Sequence, residues 1–345
     1  MHRLLVPLLL AACTPGVAPD SAGGPDSGAF DPGPSPYRLD DTLRFHHVQA
    51  LGTHNSTHME PDSVVHPSHA YTHAPLTQQL EEQGVRALEL DIHRHVDDGF
   101  HVFHLPVVDA ETTCLRLADC MGEIRAWSRQ NPWHMPLMIW LEPKDEDMDA
   151  AVPEYEMFVD RHDELEDALL DGLGRDRIFT PDDLRGEHAD LPTALAAEGG
   201  WPTLGEMRGR VVLSMLDSGT HAEAYLAGNP ALEGRLMFVG TADPSQPHAA
   251  TAKINDAAGA GDTIADALAA GIVVSSNLRD GPEHDEATGT AHLVDSLAAG
   301  AGFLKSDRPA PVDGWSSSIP GGTPARCNPV TAPPECTPAD IEALP

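Results

Sequence analysis

Basic residues are what this sequence has least of. Lys and Arg together number 21 against 54 Asp and Glu, for a formal net charge of −33. No basic stripe exists to track phosphates, so nucleic-acid binding is excluded, and the summed field also opposes any approach to an anionic membrane by electrostatics alone. Long apolar runs are missing beyond the extreme N-terminus: no later stretch approaches the roughly 18 apolar residues of a spanning helix. Cysteines are few. Set against these absences, 345 residues with 41% hydrophobic content can fill the core of one large α/β domain or two ordinary ones.

The N-terminus reads as a processing signal. His2 and Arg3 precede the apolar run LLVPLLLAA and then Cys13. The small residues before Cys13 resemble a bacterial lipoprotein signal, so residues 1–12 are expected to be removed and Cys13 lipidated; a secretory signal cut nearby is the alternative, and either exports the chain. Residues 13–40 then form a lipidated cysteine and a Pro, Gly, Ser and Asp tether with too little apolar surface to order itself. Four cysteines are left, an even number in a disulfide-permissive compartment. Local pairing, Cys114 with Cys120 and Cys327 with Cys336, is expected among the three connectivities.

From residue 41 to 345 the pattern becomes that of a single domain: short β-rich runs separated by helical periodicity. The runs are VQALGTH, ALELDIH, FHVFH, LMIWLE, RVVLSML, LMFVGT, GIVVSSN and GFLKS. Helical patterns lie between them, such as LTQQLEEQ after Pro75 and the stretch from Leu115 to Arg129, which puts Leu117, Met121, Ile124 and Trp127 on one face. Alternating strands and helices imply a parallel sheet, and about eight strands over about 300 residues suggest a closed barrel, with a doubly wound sheet as competitor. Barrels place their chemistry at the C-terminal strand ends. The Pro/Gly-rich segment from Pro309 reads as a loop-rich cap pinned by a disulfide.

Those strand ends carry His54, Asn55, Glu89, Asp91, His104 and Glu142. Two imidazoles move protons near neutral pH, and hard oxygens favour calcium or magnesium over zinc. Side chains alternate along a strand, so Glu89 and Asp91 share one face, as do Glu142 and Lys144. A carboxylate pair aimed into a barrel is costly unless a cation neutralises it, which a metal would do; a plain salt bridge of Glu142 with Lys144 or Arg86 is the simpler alternative.

Text in the order GTHNSTH, PLTQQLEEQGVRALELDIH, FHVFHLP, TCLRLADCMGEIRAWSRQNPWHMPLMIWLEPKD, TPDDLRG, GWPTLGEMRGRVV, GNPALEGRLMF and IPGGTPARCNPV resembles the bacterial and fungal calcium-dependent phosphoinositide-specific phospholipase C family, from about His46 to Cys336. The resemblance implies a distorted TIM-type (β/α)8 barrel in which Asn55, Glu89, Asp91 and Glu142 hold Ca2+ and His54 and His104 are the catalytic pair. It further implies attack by the inositol 2-hydroxyl on phosphorus, assisted by Glu89, Glu142 or His54, with His104 as general acid for the leaving oxygen. The implied partner is a phospholipid or another phosphodiester, met at a membrane by a lipid-anchored monomer. Lys144 either touches phosphate or pairs with the metal-site carboxylates.

Two features depart from that pattern. Extra histidines crowd the region from His46 to His104, among them His58, His66, His69, His73, His93, His95 and His101, and are expected to be solvated or to support the site from behind. Arg279, Lys305 and Arg308 are the candidates for headgroup phosphates, too few for a polyphosphorylated headgroup. Three alternatives stay open: a related barrel hydrolase acting on a glycerophosphodiester, a zinc hydrolase built on the His93 and His95 pair, and a surface lipoprotein that binds without turnover.

Overall fold

The computed structural model describes residues 33–145, 152–320 and 324–342. The expected signal, Cys13 and most of the tether lie outside the described residues. Of the tether, Leu39 and Asp40 are already buried, Asp40 by the Arg208 guanidinium.

Among the described residues twelve strands form one sheet: β1 (Val48–Thr53), β2 (Ala87–His95), β3 (Gly99–Val102), β4 (Leu137–Pro143), β5 (Tyr155–Glu156), β6 (Ile178–Phe179), β7 (Val211–Met215), β8 (Phe238–Val239), β9 (Thr251–Lys253), β10 (Val273–Asn277), β11 (Phe303–Ser306) and β12 (Ala325–Cys327). Eight of them are parallel and curl into the distorted barrel that the sequence pattern predicts, in the order β9, β10, β11, β1, β2, β4, β7, β8, with β6 also pairing on β7. Between β8 and β9 there is no ladder, only a bond from the Thr241 amide to the Thr251 carbonyl at 2.8 Å. The distortion is concentrated there.

One barrel strand differs from the sequence reading. FHVFH does not enter the barrel; as β3 it folds back antiparallel on β2, pairing Ile92 with Val102. The barrel position is taken instead by β9, three residues of Thr, Ala and Lys too short to stand out as an apolar run. His104 therefore follows a hairpin rather than a barrel strand.

The branched and aromatic residues of the parallel strands are buried on both faces, as a sheet covered by helices requires. Helix Leu117–Gln130 buries Leu117, Met121, Ile124 and Trp127 at helical spacing and packs on helix His162–Leu173. A Cβ on Gly172 would fall 2.4 Å from the Met121 Cβ, so the close approach of these helices needs glycine there. The C-terminal cap closes the opposite end of the barrel: β12 pairs antiparallel with β1, and Glu342 clasps Arg86. Disulfides join Cys114 to Cys120 and Cys327 to Cys336.

Candidate active site

The turn after β1 is built to present His54 and Asn55. Gly52 lies against β2 so closely that a Cβ would meet the Ala87 Cβ at 2.7 Å. Asn55 takes φ 42°, a left-handed conformation that Asn tolerates better than most residues. Ser56 then docks on β2, its amide donating to the Glu89 carbonyl at 2.7 Å and its hydroxyl accepting from the Glu89 amide at 2.8 Å. Buried Gln79 holds the turn from behind, donating to the Ser56 carbonyl at 2.7 Å.

Register brings His54 its partner. Thr53 pairs with Ser306 across β1 and β11, so the next residues, His54 and Asp307, face each other with Nδ1 to Oδ1 at 3.0 Å. Nε2 of His54 points toward Glu89, 3.7 Å from Oε1. Asp307 is held in turn by buried Asp280, which accepts its backbone amide at 2.9 Å and the hydroxyls of Ser306 and Ser317. Burial opposes ionisation of Asp307, but His54 beside it, with His73 and His58, leaves the carboxyl below its usual range.

His104 is served in the same way by a nearer aspartate. Residues 105–109 make a tight reversal, with Leu105 and Asp109 exchanging backbone hydrogen bonds and Val107 in left-handed backbone at φ 70°. The reversal returns Asp109 to its own neighbour: Oδ2 accepts from His104 Nδ1 at 2.6 Å while Oδ1 meets His58 Nε2 at 2.8 Å. Burial opposes the Asp109 charge, yet the hydrogen bonds from His104 and His58 bring its pKa down to about 2.

On the barrel wall, register sets Asp91 beside Glu142, and Glu89 beside Trp140. Glu89 and Asp91 are fully buried. A buried charge carries a penalty on the order of several kcal/mol unless it is paired, and here the pairing is with lysine. The chain contains only three lysines, Lys144, Lys253 and Lys305, and all three end at these carboxylates. Lys144 Nζ sits 2.6 Å from Glu142 and 3.1 Å from Asp91; Lys253 lies 3.5 Å from Glu89, and Lys305 is in direct contact with it. Burial works against the Lys144 ammonium, but Asp91 and Glu142 hold its pKa above the ordinary lysine range. Burial pushes Lys253 down, with Glu142 and Asp91 opposing.

Asn55, Glu89, Asp91 and Glu142 offer oxygen donors only, and Asp91 Oδ1 is met by Lys144 Nζ at 3.1 Å. By donor type the set fits a hard divalent cation. Closing it on an ion requires Lys144 to leave Asp91 and Glu142. Beside the lysines, residues from the ends of β7, β8 and β9 line a cavity of about 460 Å³, including Asp217, Ser218, Thr241, Lys253 and Asn255.

Of the other expected residues, Arg279 is exposed, in left-handed backbone on the loop after β10, and the structure does not bring it to this cluster. Arg308 instead lies over Trp315 and donates to the Asp280 carbonyl. The extra histidines are mostly not solvated: His58, His69, His73, His93 and His101 are buried. His93 donates to the Phe103 carbonyl at 2.9 Å and stacks on Phe103, pinning the β2–β3 hairpin, and it forms no metal-binding group with His95. The sequence reading does not single out Asp109, Lys253 or Asp280. The scarcity of lysine was the available signal for Lys253.

Residues 43–99 and 94–329 match the family of Ca2+-dependent phosphoinositide phospholipases C. The chain belongs to that family. Among solved structures it is similar to a Ca2+-dependent phosphatidylinositol-specific phospholipase C from Streptomyces antibioticus, at 20% identity and TM-score 0.56 over 77% of this chain and 95% of the other. It is also similar to a calcium-dependent phosphoinositol-specific phospholipase C from a Pseudomonas species, described with a myo-inositol complex, at 18% identity and TM-score 0.58 over 84% of this chain and 96% of that one. At these identities the structural likeness carries the fold. No curated protein matches by sequence.

Proposed function

We propose that the chain cleaves phosphatidylinositol, or a smaller inositol phosphodiester, in a Ca2+-dependent reaction with His54 and His104 as its two proton-handling groups. The observation that supports this most is that each histidine has an aspartate on its Nδ1, Asp307 for His54 and Asp109 for His104. A carboxylate on Nδ1 fixes the tautomer and leaves Nε2 for substrate. In this reading His54, beside Glu89, takes the proton of the attacking 2-hydroxyl, and His104 gives one to the departing glycerol oxygen. Asn55, Glu89, Asp91 and Glu142 would hold the ion, which would supply positive charge to the reacting phosphate. Lys144 and Lys253 supply further positive charge for phosphate, while buried Lys305 stays on Glu89.

The cavity beside Lys253 supports an unphosphorylated headgroup ring. Its polar lining offers one cation and the opposing Asp217 carboxylate, which suits hydroxyls and repels additional phosphates. The test is product analysis on phosphatidylinositol vesicles with Ca2+ and after chelation. Inositol cyclic phosphate plus diacylglycerol, lost with chelator and restored by Ca2+, is the expected outcome; a glycerophosphodiester cleaved in preference, or Zn2+ as the restoring ion, would replace this reading.

Export and anchoring belong to the same proposal. Lipidated Cys13 and its tether would give an r.m.s. reach of about 25 to 30 Å, holding an acidic enzyme beside a membrane that does not attract it. Mass spectrometry of the native N-terminus decides this, and an unmodified Cys13 overturns it.

A further inference from the structure

The nitrogen-rich cluster behind His104 has more ligating capacity than an acid needs. His58, His104 and Asp109 bring ligand atoms within 4.8 Å of one another, which no other such group of three does among the described residues. His69 Nδ1 stands just outside that group: it is buried, has no hydrogen-bond partner and lies 3.6 Å from Asp109 Oδ2, beyond hydrogen-bond reach. Its ring stands edge-on to His104 with centroids 5.5 Å apart.

His58 shows what the cluster wants. Its Nδ1 faces the Tyr71 carbonyl at 3.0 Å and its Nε2 faces the Asp109 carboxylate at 2.8 Å. A carbonyl and an ionised carboxylate only accept, and neutral imidazole has one N–H. With that N–H on Tyr71, Nε2 turns a lone pair toward Asp109, and a second proton or a cation must lie between them. Metal-bound histidines commonly donate their other ring N–H to a backbone carbonyl, which is the arrangement of Nδ1 here.

We propose that His58, His69, His104 and Asp109 form a second, inhibitory metal site specific for Zn2+ or a similar borderline cation. Three imidazoles and one carboxylate suit four-coordinate zinc, whereas Ca2+ takes six to eight oxygens. The ion replaces the proton between His104 Nδ1 and Asp109, and that proton leaves to solvent. Occupation removes both the acid and the carboxylate that orients it. Binding at this site is independent of the phosphodiesterase reading; only the inhibition rests on it.

The full chain, stripped of metal and then kept in excess Ca2+, is titrated with Zn2+ by calorimetry, and with Co2+ by visible absorption, which reports four-coordinate geometry. One equivalent of Zn2+ that Ca2+ does not displace is expected, weakened at least about tenfold in His69→Ala and His69→Gln and lost in Asp109→Asn, with melting curves confirming that each variant is folded. Inhibition by Zn2+, taken relative to each variant's own zinc-free rate, should fall in the two His69 variants. Absence of Zn2+ binding, displacement of Zn2+ by Ca2+, or binding unchanged in folded His69→Ala would overturn the site. Inactivity of the parent in Ca2+ with Zn2+ binding intact would instead count against the function proposed above.

Discussion

Two clusters on one barrel rim answer the same problem, a buried negative charge, with different chemistry. On the wall of β2 and β4, Glu89, Asp91 and Glu142 are met by Lys144, Lys253 and Lys305, so ammonium groups balance oxygens. Behind the β2–β3 hairpin, Asp109 is met by His58 and His104, so balance depends on protons that imidazoles can give up. The first cluster sets ammonium groups against oxygens, with burial pushing Lys253 and Lys305 down while Asp91 and Glu142 hold Lys144 up. The second is able to move a proton, and the same property exposes it to metals that compete for nitrogen.

The sharpest break of this comparison comes from the leaving group. His104→Ala should lose about 10² to 10⁴ in rate on a natural diester but much less on an analogue with a phenolate leaving group, while His54→Ala stays impaired on both; equal losses on the two substrates would remove His104 as the acid. Next, Asp91→Asn and Glu142→Gln should lower kcat by about 10² to 10³ and weaken Ca2+ binding in calorimetry, with unchanged affinity refuting them as ligands. Asp109→Asn leaves His104 in place without its carboxylate, and about 10- to 100-fold loss is expected, again smaller on the phenolate analogue. A merely structural role for Asp109 would lower both substrates alike.

Buried imidazoles and Asp109 give the protein a stability that depends on pH in two windows. Burial lowers the pKa of His73 and of His134 from 6.5 to about 4, so the unfolded chain binds their protons first and stability falls as pH drops from about 6.5 toward 4. Asp109, lowered from 3.8 to about 2, adds stability that is present above its unfolded pKa and is lost as pH falls through this lower window. Melting temperature against pH should therefore decline in two stages, and His73→Gln should flatten the upper one. The smallest effect is expected at Val107, exposed and β-branched at φ 70°: Val107→Gly should raise stability by about 1 kcal/mol, read as a small rise in melting temperature, and no rise would mean the reversal at Asp109 is not strained.

Much of this was legible along the chain because barrel chemistry sits at strand ends and alternation tells which side chains share a face. Glu89 with Asp91, Glu142 with Lys144, and the His54–Asn55 turn could be read from two-residue periodicity and flanking apolar runs. The eighth strand could not, because Thr251–Lys253 is too short to carry a pattern, and FHVFH has the composition of a strand without revealing that it pairs antiparallel outside the barrel. Sequence alone thus determined which residue types stand at the strand ends and the family text, since these depend on residue type and local spacing. Tertiary structure decided the partners: that β1 and β11 align His54 with Asp307 across some 250 residues, that a tight reversal turns Asp109 back on His104, and that all three lysines converge on three carboxylates. Register and chain reversal set those pairings, and neither is written in any one segment.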